Sequence, residues 1–186
     1  MSIVLTTPPV IEPVTLDEAK THLKVDTTDD DTLIGTLISA ARAKAEWNTG
    51  RALITQDWTF AADCWPQDNV FELPFPPLQS VTSVTAYALD DTAMVLDPSI
   101  YQVDTMSSPA RLTLKANASP PVNLRALNAV QIVFTAGYGD SENDVPALIR
   151  EAILEIVADM YVNRGDTDEV PLAAMALLAP YRIMNI

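Results

Sequence analysis

Asn48-Thr49-Gly50-Arg51-Ala52-Leu53-Ile54-Thr55-Gln56-Asp57-Trp58-Thr59-Phe60-Ala61 is the stretch where one kind of chain becomes another. Upstream of it, apolar residues recur at three- and four-residue spacing. Downstream, β-branched and aromatic residues rise and alternation replaces the helical period. Gly50 stands where a helix running to about Asn48 would end, because glycine enters the left-handed region at little cost. Working back, Asp29-Asp30-Asp31 reads as the start of that helix, its carboxylates suited to free N–H groups and to the positive end of the helix dipole. The apolar residues between fall in two adjacent rows, Leu33, Leu37, Ala40 with Trp47, and Ile34, Ile38, Ala41 with Ala45. So wide an apolar face predicts neighbours on more than one side. Further back, Thr15-Leu16-Asp17-Glu18 has the spacing of a capping box and predicts a first short helix.

Working forward, strands are predicted near 52–61, 70–73, 81–89, 101–103, 111–114 and 130–135. Leu73-Pro74-Phe75-Pro76-Pro77-Leu78 cannot supply a regular ladder and reads as an extended connection. Helical signals return at Asp144-Val145-Pro146 and continue to about Asn163. In that helix Glu151, Glu155 and Asp159 form one acidic row at four-residue spacing, which calls for a solvated or basic surrounding. A last helix from Pro171 to about Leu178 is apolar on nearly every side and leads into Tyr181-Arg182-Ile183-Met184-Asn185-Ile186. This end either completes the core or leaves an apolar patch for another chain. The economical assembly is α+β. A small four-helix bundle forms from the N-terminal and C-terminal helix pairs, with an antiparallel strand-rich subdomain inserted between them. The expected divisions are 1–50 (arm and first two helices), 51–140 (strand-rich insert) and 141–186 (last helices and tail).

Composition narrows function. With 186 residues, 48% of them hydrophobic, the chain can bury a sizeable core. A formal net charge of −14 argues against a partner held through its phosphates, which needs clustered Lys and Arg. The 11 basic residues are instead scattered from Lys20 to Arg182. The single cysteine, Cys64, excludes an internal disulfide and reads as a buried structural thiol. The single histidine, His22, has no second histidine or nearby cysteine with which to hold a metal. Ala136-Gly137-Tyr138-Gly139-Asp140 lacks the third glycine and the Gly-Lys-Ser/Thr of a phosphate loop and reads as a turn. Asp26-Thr27-Thr28-Asp29-Asp30-Asp31 lacks the turn glycine and distal glutamate of a calcium loop. No cofactor, metal or catalytic residue is expected. The N-terminal stretch has no basic n-region and is broken by Pro8, Pro9 and Pro13, so neither a signal peptide nor a membrane span is expected.

The order of several phrases resembles one family. They are Val14-Thr15-Leu16-Asp17-Glu18-Ala19-Lys20-x-His22-Leu23, Asp30-Asp31-x-Leu33-Ile34, Ala40-Ala41-Arg42, Thr49-Gly50-Arg51-Ala52-Leu53-Ile54-Thr55-Gln56, Leu73-Pro74-x-Pro76-Pro77-Leu78-Gln79-Ser80-Val81, Ala136-Gly137-Tyr138-Gly139, Val145-Pro146-x-Leu148-Ile149-Arg150, Tyr161-x-Asn163-Arg164 and Leu178-Ala179-Pro180-Tyr181-Arg182. Together they resemble the phage head–tail connector (adaptor) proteins, the gp6-like group that takes in HK97-type and SPP1-type connectors and their prophage and gene-transfer-agent relatives. The resemblance implies a structural subunit, not an enzyme, that self-assembles into a ring below the portal protein. It implies a place at the head–tail junction of a virion made in the bacterial host cytoplasm. Such a ring lengthens the channel through which DNA passes without sequence-specific binding, and docks a tail-completion or stopper protein. On that expectation Arg42, Lys44, Glu151, Glu155 and Asp159 are candidates for the subunit or channel surface. Tyr181, Arg182, Ile183, Met184 and Ile186 are candidates for the portal-docking tail. The alternatives are a small DNA-packaging (terminase-type) protein and an enzyme of unrecognised type.

Overall fold

The computed structural model describes residues 1–163 and 169–183. In chain order these form β1 (Ser2–Thr7), α1 (Leu16–Leu23), α2 (Asp31–Thr49), β2 (Gln56–Ala62), β3 (Val70–Leu73), β4 (Leu78–Tyr87), β5 (Ala93–Val95), β6 (Tyr101–Asp104), β7 (Ala110–Leu114), β8 (Val130–Ala136), α3 (Ala147–Asn163) and α4 (Leu172–Leu178). The chain divides into two compact units, one of Met1–Pro8 with Thr55–Gly137, the other of Pro9–Ile54 with Tyr138–Ile186.

The first unit holds two antiparallel sheets, one ordered β1-β2-β8-β4-β5 and the other β3-β7-β6. Central β8 alternates as a half-buried strand should, with Val130, Ile132, Phe134 and Ala136 buried and the residues between them half-buried. Phe71 on β3 meets the Phe60 ring on β2 edge-on at 6.1 Å and the Trp65 ring at 4.9 Å, so aromatic packing joins the two sheets. The proline-rich connection before β4 is irregular as expected. Phe75 takes a left-handed φ of 58°, the Pro76–Pro77 bond is cis, and the Phe75 ring stacks on Trp58 at 4.4 Å.

In the second unit, the row Ile34, Ile38, Ala41 and Ala45 of α2 closes a core with Ile149, Ala152, Ile153, Ile156 and Val157 of α3 and with Ala174 and Leu178 of α4. Thr15 and Glu18 make the expected capping box at the start of α1, and Gly50 ends α2 at φ 71°. Asp29-Asp30-Asp31 behaves differently, because Asp30 makes no side-chain cap. Its carboxylate instead accepts from the Tyr161 hydroxyl at 2.6 Å, and Asp31 pairs with Lys20 at 2.6 Å. The acids at this helix start tie three helices together.

The expected small four-helix bundle with an inserted strand-rich subdomain is corrected by this architecture. The described residues carry eight strands in two antiparallel sheets, so the chain is strand-rich, and the helices are not a bundle. The reason is length. At about 1.5 Å per residue, the 8-residue α1 and 7-residue α4 cannot run beside the 19-residue α2 and 17-residue α3. They pack as short pieces on one long pair. Two strands also escaped the sequence reading. β1 lies before the first helix and pairs with residues fifty or more positions on, and three-residue β5 is too short to show alternation.

Candidate assembly surfaces

The expected surface residues divide once their partners are seen. Arg42 is turned inward: its Nε donates to Glu12 Oε2 at 2.8 Å and its Nη1 to Glu46 Oε2 at 2.8 Å. Glu46, 6% exposed, accepts through its other oxygen from the Leu53 backbone N–H at 2.9 Å, and Ser39 Oγ donates to Glu12 at 2.6 Å. The network stitches the N-terminal arm and the turn after Gly50 onto α2. Lys44 is half-buried and has an interaction of its own. Beside them, Arg150 donates to the Pro13 carbonyl at 3.1 Å and pairs with Glu18. The Glu18 carboxyl lies below its ordinary value, chiefly because it accepts the Thr15 backbone N–H and further because the Arg150 guanidinium is near.

In the acidic row of α3, Glu151 is exposed while Glu155 and Asp159 are half-buried. Asp159 accepts from Asn163 Nδ2 at 2.8 Å. The row therefore keeps one helix face, with Glu151 the most open to solvent.

The candidate tail is partly folded onto its own unit. The Tyr181 carbonyl accepts from Arg51 Nε at 2.6 Å, the Ile183 N–H donates to the Thr49 carbonyl at 3.0 Å, and the Ile183 side chain lies against Gly50. A Cβ at Gly50 would sit 3.4 Å from that side chain. Arg182 is exposed, and Met184 and Ile186 lie outside the described residues.

Two apolar surfaces whose burial the sequence left undecided remain partly open. On α2 the second row is open at its two ends, with Leu33 48% and Trp47 81% exposed, while Leu37 between them packs against the core. On α4, Leu172 is 84% exposed and Ala173, Met175 and Ala176 are exposed beside it. The signal was present for both, in the second α2 row and in the absence of any polar residue from α4.

The remaining chemical candidates take structural places. Among the described residues no group of three or more His, Cys, Asp or Glu could hold a metal. Cys64, expected to be buried, is exposed. Gly139 lies so close to the Asp144 carboxylate, which accepts the Ser141 N–H at 3.0 Å, that a side chain there would collide with it. Gly139 thus makes room for an acid that already fills the turn. No described helix is long and apolar enough to cross a membrane.

Fold and surfaces together define a protein of packing faces and internal ion pairs, the makings of a structural component. A family model described as phage gp6-like head-tail connector protein matches residues 13–119, more than half of the chain, and the chain belongs to that family. Its fold is similar over its whole length to a chain in the neck of an empty gene transfer agent (GTA) particle computed with C6 symmetry, with a TM-score of 0.85, 23% identity and 97% of that chain covered. It is similar in the same way to chains in the virion of a native GTA particle (TM-score 0.83, 22% identity) and in the neck of a native GTA particle computed with C12 symmetry (TM-score 0.83, 23% identity). In both cases all of this chain and 97% of the other are covered. No curated protein matches it.

Proposed function

We propose that the chain is a structural head–tail connector subunit of a tailed phage, prophage or gene transfer agent. Its copies form a ring below the portal protein, at the head–tail junction of the virion. The observation that carries this reading is the family match over residues 13–119, which spans α1, α2 and strands β2 to β7. The similar fold of chains in particle necks computed with C6 and C12 symmetry supports the ring. In this role the subunit works through packing and not through catalysis. It extends the DNA channel and docks a tail-completion or stopper protein. The net charge of −14 keeps DNA from adhering to the wall as it passes, so DNA is conducted without being read.

Two residue assignments follow. Glu151, Glu155 and Asp159 face the channel, a reading supported by the engagement of Arg42 with Glu12 and Glu46 of its own subunit. Reversing all three charges should impair DNA retention in assembled particles, and unchanged retention together with unchanged ring assembly would sink the assignment. The end of the chain docks on the portal. Because Tyr181 and Ile183 hold the second unit together, the informative truncation removes only Met184 to Ile186. It should weaken portal binding and leave the thermal melt in place. Electron microscopy of the purified protein with and without its portal tests the whole reading. The expected result is a closed ring seated on the portal, and a chain that never joins the portal overturns it.

A further inference from the structure

α4 is a short helix with no polar residue, and a helix apolar all round belongs in an interior. Only Ala174 and Leu178 are buried within the subunit, which leaves Leu172, Met175, Ala173 and Ala176 on one open face. On α2, at about 100° per residue, Leu33, Leu37, Ala40 and Trp47 form a row one quarter-turn from the row that fills the core. Trp47 is 81% exposed there. A chain of net charge −14 repels its own copies, so two copies approach most easily where neither surface carries acid. Both faces are free of Asp and Glu, and the α2 row contains one basic residue, Lys44. A two-fold contact of α2 with α2 would cover one face and leave α4 bare. A head-to-tail contact between the two different faces covers both with one kind of joint, and joints of that kind make a ring when the rotation between copies closes.

We infer that the α2 row centred on Trp47 docks on the α4 face of a second copy of this chain, with Trp47 as its anchor. The inference rests on the ring reading and supplies its joint. Trp47 and Leu172 are 81% and 84% exposed, outside the core formed by the described residues, so charging either removes the contact without touching that core.

The test uses the full chain. Trp47→Glu and Leu172→Glu, made separately, should each weaken self-association by about tenfold or more, with unfolding midpoints unchanged. In a Cys64→Ser background, a chain carrying Ala43→Cys is mixed with a tagged chain carrying Ala176→Cys and treated with a short bifunctional maleimide. The expected product joins one chain of each kind. Oligomers of unaltered mass in both charged variants, or joining of Ala43→Cys chains only to one another, overturn the contact while leaving the ring reading intact. A wild-type chain that stays monomeric by mass, both alone and with its portal, removes the ring reading and this contact together.

Discussion

At the scale of single residues, Glu46 is a buried carboxylate that joins a side chain of its own helix to the turn beyond it. A carboxylate 6% exposed, holding both the Arg42 guanidinium and the Leu53 N–H, leaves that N–H unsatisfied when it is removed. Because Arg42 keeps Glu12, Glu46→Ala should cost about 1–3 kcal/mol in urea unfolding, the range for leaving a buried donor unsatisfied. Gly139 has a role no composition argument reveals, since its missing side chain makes room for the Asp144 carboxylate. Gly139→Ala should lower stability by about 1–3 kcal/mol, and Asp144→Ala in the same chain should recover part of that. Glu18 carries a pH signature. Its carboxyl is held below the ordinary 4.5, so its contribution is complete above that pH and is lost as the pH falls through the lowered value. Glu18→Gln should flatten that part of the acid limb of the stability curve, and an unchanged limb in urea titrations between about pH 5 and 2 would contradict it.

At the scale of elements, α2 shows how much periodicity can say and where it stops. Its two apolar rows were legible because side chains four apart share a face. Which row enters the core was not, because both are largely apolar and only the positions of α3 and α4 distinguish them. The end of the same helix was legible at Gly50, where φ 71° is costly for any residue with a Cβ. Gly50→Ala should therefore destabilise by about 1 kcal/mol, seen as a lower thermal midpoint, through its backbone alone, since a Cβ there meets Ile183 at ordinary contact distance. Arg42 is the opposite lesson. The resemblance to connector proteins made it a candidate for the subunit or channel surface. Its partner was Glu12, thirty residues back in an arm with no periodicity to read. Cys64 was misread in the same way, since neighbouring residue types do not settle burial in a loop after β2.

For the whole molecule, the charge of −14 sets the terms of assembly. If copies meet through uncharged faces against a general repulsion, screening should help. Raising salt from about 0.01 to 0.15 M shortens the Debye length from about 30 to 8 Å and should strengthen self-association in sedimentation experiments. A contact built mainly from ion pairs would weaken instead. The amino-acid sequence by itself determined the change from helices to strands at Gly50, most of the strand positions, the acidic row of α3 and the likeness to connector proteins. All of these are local patterns or ordered phrases along one dimension. The tertiary structure alone decided that β1 joins a sheet begun fifty residues later, and that α1 and α4 are pieces laid on a long helix pair and not members of a bundle. It also decided which apolar rows stay open. Strand partnership and burial depend on contacts between residues far apart in the chain, and only folding brings those together.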